Sequence, residues 1–448
     1  MRFDEVDGVV VHHRVDKLLC CSCNVVLEDE MTRAMTSMTQ LDPAGLDAAD
    51  PLARYRERFL LPEGVIYLDG NSLGPASHAA LAALDSAARS EWAEGLIRSW
   101  NTAGWFDMPI SAGNRIARLV GAAAGQVAVC DSVTVNLYKV LQAAMGLRPG
   151  RRTIVAEASS FPTDLYIAEG VAANLQGARL RLAGRDADTL EELIDEDTAV
   201  VLVNHVDYRS GALQDMAGLT SKVHAAGALA VWDLCHSAGA LCVELDACEA
   251  DFAVGCTYKY LNCGPGAPAF VYAATRHHAR LRQPLSGWWG HARPFEFETG
   301  YAPASGIKAF LTGTPPVLSL RALAGALDDW DDVDMGQLRE KSMRLTQYFI
   351  DLVEDRCGEH GLASITPGDP QARGSQVSLR FAHAYPAMQA LIARGVIGDF
   401  RAPDVMRFGF TPLYLSFAEV ARAVEILKDV LDTKLWQDQA YSVKAAVT

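Results

Sequence analysis

Between residues 111 and 272 the chain alternates two patterns. Short apolar runs, such as Gln126–Cys130, Arg152–Ala156, Ala199–Val206 and Ala228–Asp233, are rich in valine, leucine and alanine and stop at polar residues. Between them lie stretches whose apolar positions recur every three or four residues. Short apolar runs bounded by turns read as buried strands, and the spaced pattern reads as helix. The expected order is helix 111–123, strand 126–130, and a helix that opens at Asp131-Ser-Val-Thr-Val-Asn136 and runs to Gly146. Strand 152–156 follows, then a helix after Ser160-Phe-Pro-Thr-Asp164, strand 178–182, helix 188–195, strand 199–206, helix 215–226 and strand 228–233. Such repeated strand, turn and helix units predict an α/β fold: a mostly parallel mixed sheet flanked by helices, with ligands bound beyond the carboxyl ends of the strands.

On either side the pattern changes. Upstream, a short helix over 50–59 precedes the strand and glycine-bracketed turn Gly64-Val-Ile-Tyr-Leu-Asp-Gly-Asn-Ser-Leu-Gly-Pro75, where Asn71 and Ser72 are expected as exposed hydrogen-bonding groups. A helix from Ser77 to Gly95 and an aromatic-rich loop, Leu96–Phe106, come next. Downstream, helices over 318–329 and 334–354, strands over 376–381 and 405–410, and a final helix over 417–431 predict a smaller C-terminal α+β domain. The expected division is an extension or mis-assigned start over 1–40, an N-terminal arm with active-site loops over 41–110, a large domain over 111–316, a small domain over 317–435 and a polar, frayed tail over 436–448.

The chemistry concentrates where apolar runs stop. Asp251-Phe-Ala-Val-Gly-Cys-Thr-Tyr-Lys-Tyr260 reads as a buried strand ending at Lys259, before a glycine-proline turn and a further strand over 267–272. Taken alone, such a lysine is a strand-end side chain reaching water. The strand just upstream, however, ends in Asp233 and is followed by His236. An acid at one strand end and a lysine at the next are two halves of a pyridoxal phosphate (PLP) site. The lysine forms the Schiff base, and the carboxylate keeps the pyridine nitrogen protonated. Ser132 and Thr134 open a helix whose first turn suits a phosphate, although simple helix capping explains them equally well. Thr134, Phe161, Asp164, Asn204, Asp233, His236 and Lys259 all fall at expected strand ends, and that coincidence carries the reading.

Composition narrows the classes. The 448 residues are 50% hydrophobic and 21% charged, which suits a large globular core. A formal net charge of −15 argues against a nucleic-acid backbone or an anionic membrane as partner. No apolar stretch approaches the roughly 18 residues of a membrane span, and the acidic N-terminal segment does not read as a secretion signal, so a cytoplasmic protein is expected. Most cysteines lie singly in apolar runs (Cys130, Cys235, Cys242, Cys256) and read as buried thiols of a reducing compartment. Cys20, Cys21 and Cys23 lack zinc-site spacing, and no metal is expected.

Several motifs in fixed order resemble the kynureninase family: Tyr67-Leu-Asp-Gly-Asn-Ser-Leu-Gly74, Gly95-Leu-Ile-Arg-Ser-Trp100, Phe161-Pro-Thr-Asp164, Trp232-Asp-Leu-Cys-His-Ser-Ala-Gly239, Cys256-Thr-Tyr-Lys-Tyr-Leu-Asn262 and Gly287-Trp-Trp-Gly290. The resemblance covers residues 50–435. It implies a PLP-dependent transferase fold of type I, the aspartate aminotransferase fold, and hydrolysis of L-kynurenine or 3-hydroxy-L-kynurenine to an anthranilate and L-alanine in tryptophan degradation. By the same resemblance Lys259 is the Schiff-base lysine, Asp233 the pyridinium partner and Phe161 the residue stacked on the ring. Val133, Thr134 and Tyr258 hold the phosphate; Thr163, Asp164, Asn204 and His236 complete the cofactor contacts; and Tyr258 relays protons. Trp288 and Thr314 come from the second subunit of a homodimer with shared sites. Arg407, which reads as a surface arginine without the family, grips the substrate carboxylate, and Asn71, Ser72 and Trp100 shape the aryl pocket. Some family members have Asn where Thr314 stands and Ser or Thr where Asn204 stands, which leaves ring-hydroxyl preference and one cofactor contact open.

Two other classes stand beside this one. A cysteine desulfurase or selenocysteine lyase-like enzyme of the same fold needs a mobile loop cysteine, for which Cys357 is the candidate in the C-terminal region. A non-catalytic protein of the fold would have lost Lys259 or Asp233, and both are present.

Overall fold

The computed structural model describes residues 42–184 and 188–444. The extension over 1–40, with its cysteine cluster, lies outside the described residues. A two-residue strand, β1 (Ile66–Tyr67), precedes the strands of the largest sheet: β2 (Val127–Val129), β3 (Thr153–Glu157), β4 (Arg179–Ala183), β5 (Thr198–Asn204), β6 (Leu229–Asp233), β7 (Phe252–Gly255) and β8 (Phe270–Ala273). Their spatial order is β2-β8-β7-β6-β5-β3-β4. Neighbours from β7 to β4 run parallel, and β8 lies antiparallel to both β7 and β2.

Both faces of this sheet are covered, which is why its inner strands read as unbroken apolar runs, whereas the edge strand β4, Arg179-Leu-Arg-Leu-Ala183, alternates. Alternation is still present in space. Val201 and Val203 of β5 join one core with Trp232, Ile116 and Val223, while Val200 and Leu202 join the opposite core with Val231, Leu141 and Val171. Side chains two apart on a strand share a face, so one apolar run supplies both cores. Upstream of the sheet lie α1 (Pro43–Ala48) and α2 (His78–Ser86); the helices that flank it are α3 (Met108–Leu119), α4 (Val133–Leu147), α5 (Pro162–Asn174) and α6 (Met216–Ala225).

The second unit contains helices α7 (Val317–Asp328), α8 (Met335–Cys357), α9 (Ala384–Ala393) and α10 (Phe417–Asp432). Its strands β9 (Ala363–Ser364), β10 (Gln376–Arg380), β12 (Asp399–Arg401) and β13 (Val405–Gly409) form an antiparallel sheet in the order β12-β13-β10-β9. Strand β11 (Val396–Ile397) instead pairs in parallel with β1, far upstream. The pairing continues as Leu68 N–H donates to Ile397 O and Gly409 N–H to Leu68 O, both at 2.7 Å. Asp47 accepts from the first-turn N–H of Phe417, and Ser416 and Glu419 form a reciprocal capping box at the start of α10. The N-terminal segment is thus stitched to the C-terminal unit rather than to the large sheet.

Four expectations are corrected. Strand β7 ends at Gly255 and Lys259 stands on the turn beyond it. Opposite Thr257 lies Pro268, which has no N–H to continue the ladder, so the Thr257 hydroxyl reaches its carbonyl instead. The helix expected over 188–195 is a single 3-10 turn, Glu191–Leu193. There the Asp195 carboxylate accepts from Asp197 N–H and the Thr198 hydroxyl, hydrogen bonds that compete with a further helical turn. The tail is not frayed at its start, because Trp436 stacks on His383 with ring centroids 4.0 Å apart and Tyr385 donates to Val443 O. Cys235 and Cys242 are only half-buried, unlike Cys130 and Cys256. Among the described residues no helix is long and apolar enough to cross a membrane.

Candidate active site

Adjacent strands β5 and β6 end side by side, with Asn204 in register with Asp233. Just past Asp233 the backbone N–H of Cys235 donates to its carboxylate at 2.6 Å, which fixes the acid at the sheet edge. His236 follows, buried, with its Nε2 3.0 Å from Lys259 Nζ. Burial, reinforced by the Lys259 charge, pushes the His236 imidazole well below its usual pKa. A neutral ring at this distance accepts a hydrogen bond from the lysine.

The opposite wall is the start of α5. Asn204 bridges it to the sheet, accepting from Phe161 N–H at 3.0 Å and donating to Asp164 at 2.8 Å. Burial raises the Asp164 carboxyl, and the charge of Asp233 raises it further. The Phe161 ring remains 40% exposed to the cleft, edge-on to Tyr208, with Lys259 Nζ 5.9 Å from its centroid. At the start of α4 the Ser132 hydroxyl caps Val135 N–H, and helix geometry leaves the first N–H groups, those of Val133 and Thr134, without intrahelical acceptors. Ser132, Val133, Thr134, Phe161, Thr163, Asp164, Asn204, Asp233, His236, Tyr258 and Lys259 all line one cleft of about 640 Å3.

The stitched N-terminal segment closes this cleft. Gly74 N–H donates to Tyr258 O at 2.8 Å. A Cβ on Gly74 would stand 2.2 Å from Asn262 Oδ1 and 2.5 Å from Lys259 O, so only glycine lets the two turns meet. Ser72 donates to Asp399 and accepts from Arg407 Nη2, both at 2.8 Å. Asn71 departs from expectation: it is fully buried and does not line the cleft. It fits there because Gly409 has no side chain; a Cβ at Gly409 would stand 2.1 Å from Asn71 Oδ1.

Arg407 is no surface arginine. It is 1% exposed, donates through Nε and Nη2 to Asp399 and through Nη1 to Tyr208 O at 2.7 Å, and faces the cleft. Asp399 also pairs with Arg401 at 2.7 Å, and burial followed by the Arg407 charge lowers the Arg401 pKa. Asp69, beneath them, is raised to about 7 by burial and the Asp399 charge.

Trp100, Trp288 and Thr314 are not brought to Lys259. They line a second cleft of about 760 Å3 with Phe106, Trp289 and Phe295. Tyr208, Asp399 and Arg401 line or brace the first cleft without having been singled out from the sequence. Tyr208 follows the carboxyl end of β5 and was legible by position. Arg401 and Asp399 gave no signal, since their strand is three residues long. Cys357 is fully buried at the end of α8, and burial pushes its thiol up to about 11, so it is no mobile nucleophile.

The first cleft fits PLP on its own terms. It offers one lysine, an acid at a fixed edge, an aromatic face and a free helix start. His236 Nδ1 and Asp164 Oδ1 are buried polar atoms without protein partners.

Comparison with known proteins agrees. A family profile for the kynureninase C-terminal domain matches residues 338–427. A kynureninase of Burkholderia pseudomallei is 51% identical over 415 residues, covering 92% of this chain and all of the relative. A kynureninase of Pseudomonas fluorescens is 52% identical over the same coverage. Among solved structures, a cysteine desulfurase from Thermococcus onnurineus is 18% identical with a TM-score of 0.71, covering 85% of this chain and 98% of that one. One from Escherichia coli is 20% identical with a TM-score of 0.71, covering 88% and 99%. At that identity the likeness is one of fold alone.

Proposed function

The chain belongs to the kynureninase family and has the type I fold of PLP-dependent transferases, and we propose that its Lys259 cleft hydrolyses L-kynurenine to anthranilate and L-alanine. The observation that carries this reading is the meeting of Lys259, Asp233 and the buried Arg407 in one cleft of a chain half identical to kynureninases along nearly its whole length.

Bound PLP supplies an electron sink for negative charge that develops beside the substrate nitrogen. The chain's own residues do the rest. The start of α4, with Val133 and Thr134, would hold the phosphate through backbone N–H groups, Asp233 would keep the pyridine nitrogen protonated, and Phe161 would pack on the ring. Arg407, preset by Asp399, Ser72 and Tyr208 O, turns a guanidinium donor toward the substrate carboxylate. Lys259 Nζ, close to the neutral His236 ring, moves the Cα proton. Hydrolysis then needs water at the aryl ketone and a proton at Cβ as the Cβ–Cγ bond breaks. Burial raises the Tyr258 pKa, so its hydroxyl stays protonated and serves as that donor.

A homodimer with shared sites is favoured by the second cleft, which holds Trp100, Trp288 and Thr314, and by the exposed Ile97 and Phe295 in its lining. A large cofactor domain over 111–316, a small domain over 317–435 and an N-terminal arm with active-site loops over 41–110 are supported by the separate seven-stranded and four-stranded sheets. A cytoplasmic setting agrees with the free thiols of Cys130, Cys235, Cys256, Cys263 and Cys357. Purified protein given PLP and kynurenine should develop anthranilate fluorescence. Release of sulfide and alanine from cysteine, with no anthranilate from kynurenine, would replace this reading with the desulfurase one.

A further inference from the structure

Lys139 lies inside α4 with its side chain completely enclosed. Its Nζ donates to Asp131 Oδ2 and to Phe310 O, both at 2.7 Å, and lies 3.5 Å from Cys130 Sγ. Asp131 sits at a positive φ of 48°, a strained position for a residue with a side chain, directly before the helix start at Ser132 and Val133. Its carboxylate also accepts from the Thr312 hydroxyl at 3.2 Å, and its carbonyl accepts from Ala269 N–H at 2.8 Å. Asp131 lines the same cleft as Val133 and Thr134. A carboxylate beside the N–H groups that bind a phosphate would repel it, unless a cation cancels the charge from behind.

We propose that Lys139 is a positioning residue for the cofactor phosphate. It neutralises Asp131 and, through Asp131 and Phe310, ties the phosphate-binding turn to the 310–314 loop. This rests on the PLP reading above. The pair gives a rigid turn at no net charge cost: Asp131 anchors Ala269 and Thr312, and Lys139 keeps that anchor from opposing the phosphate. Because Lys139 is buried behind the helix, it acts on the phosphate only through Asp131 and the turn.

The test compares two ligands that differ only in the phosphate. Cofactor-free wild type, Lys139→Met, Asp131→Asn and the double variant are titrated with PLP and with pyridoxal, following the visible absorbance of the lysine-bound cofactor. Lys139→Met should weaken PLP about tenfold or more while changing pyridoxal less than about twofold, since it leaves a like charge facing the phosphate. The double variant should recover most of that loss. Asp131→Asn alone should keep or raise the preference for PLP over pyridoxal, which keeps the proposal falsifiable where Lys139→Met does not fold. Equal losses for both ligands, no loss in Lys139→Met, or a weaker PLP preference in Asp131→Asn would each overturn it. Wild type that gives no visible absorbance with PLP would instead refute the cofactor reading itself.

Discussion

Lys259 Nζ and His236 Nε2 lie 3.0 Å apart, and the histidine is held neutral by its burial. The lysine is therefore fixed by a hydrogen bond rather than by an ion pair, which leaves its nitrogen free to enter covalent chemistry. Lys259→Ala should bind PLP without the visible band of lysine-bound cofactor and should not form anthranilate. A borohydride-sensitive band that survives unchanged in the variant would show the assignment of Lys259 to be wrong.

Arg407 and Cys357 separate hydrolysis of kynurenine from desulfuration. Losing one partner of a buried charge pair costs about 2–5 kcal/mol, roughly tens- to thousands-fold in kcat/KM. Arg407→Ala should lower kcat/KM for kynurenine by that order and leave the cofactor spectrum intact, whereas Cys357→Ser should change little. Steady-state kinetics on both variants checks this, and abolition of activity by Cys357→Ser would reverse the conclusion.

Trp288 and Thr314 lie outside the Lys259 cleft of their own chain. If they complete the partner's cleft, mixing inactive Lys259→Ala chains with inactive Trp288→Ala chains should restore part of the activity, because one site in each heterodimer then carries neither change. A fully active monomer in sedimentation would exclude shared sites.

His205 is buried against Trp232, and burial followed by the Arg339 charge lowers its pKa to about 4. The unfolded value is near 6.5, so between these values the unfolded state binds more protons than the folded one. Stability linked to His205 is complete above about pH 6.5 and is lost as pH falls toward 4, a change of about 3 kcal/mol. Urea unfolding of wild type and His205→Gln at pH 7 and pH 4.5 measures it as the difference in pH dependence. Parallel curves for the two proteins would contradict the assignment.

Local pattern carries far in this chain, for a physical reason. A parallel sheet covered on both faces needs continuous apolar strands, and its ligands must sit where those strands stop, so Asn204, Asp233 and His236 could be placed from the order of residues alone. Lys259 could be assigned its chemistry but not its place, because the loss of an N–H at Pro268 ends the β7 ladder early, and a proline opposite is visible only once the strands are paired.

What the sequence could not decide is everything that depends on distant segments meeting. Arg407 binds Ser72 across 335 residues, and its guanidinium is aimed by Asp399 on a strand too short to read. Asn71 looks like an exposed turn residue until β1 pairs with β11 and Gly409 opens the space that buries it. The apolar period of a strand or helix is written in neighbouring residues. Contacts across long loops depend on which chain segments pack together, and the tertiary structure alone decided those, including the placing of Trp100, Trp288 and Thr314 away from the lysine of their own chain.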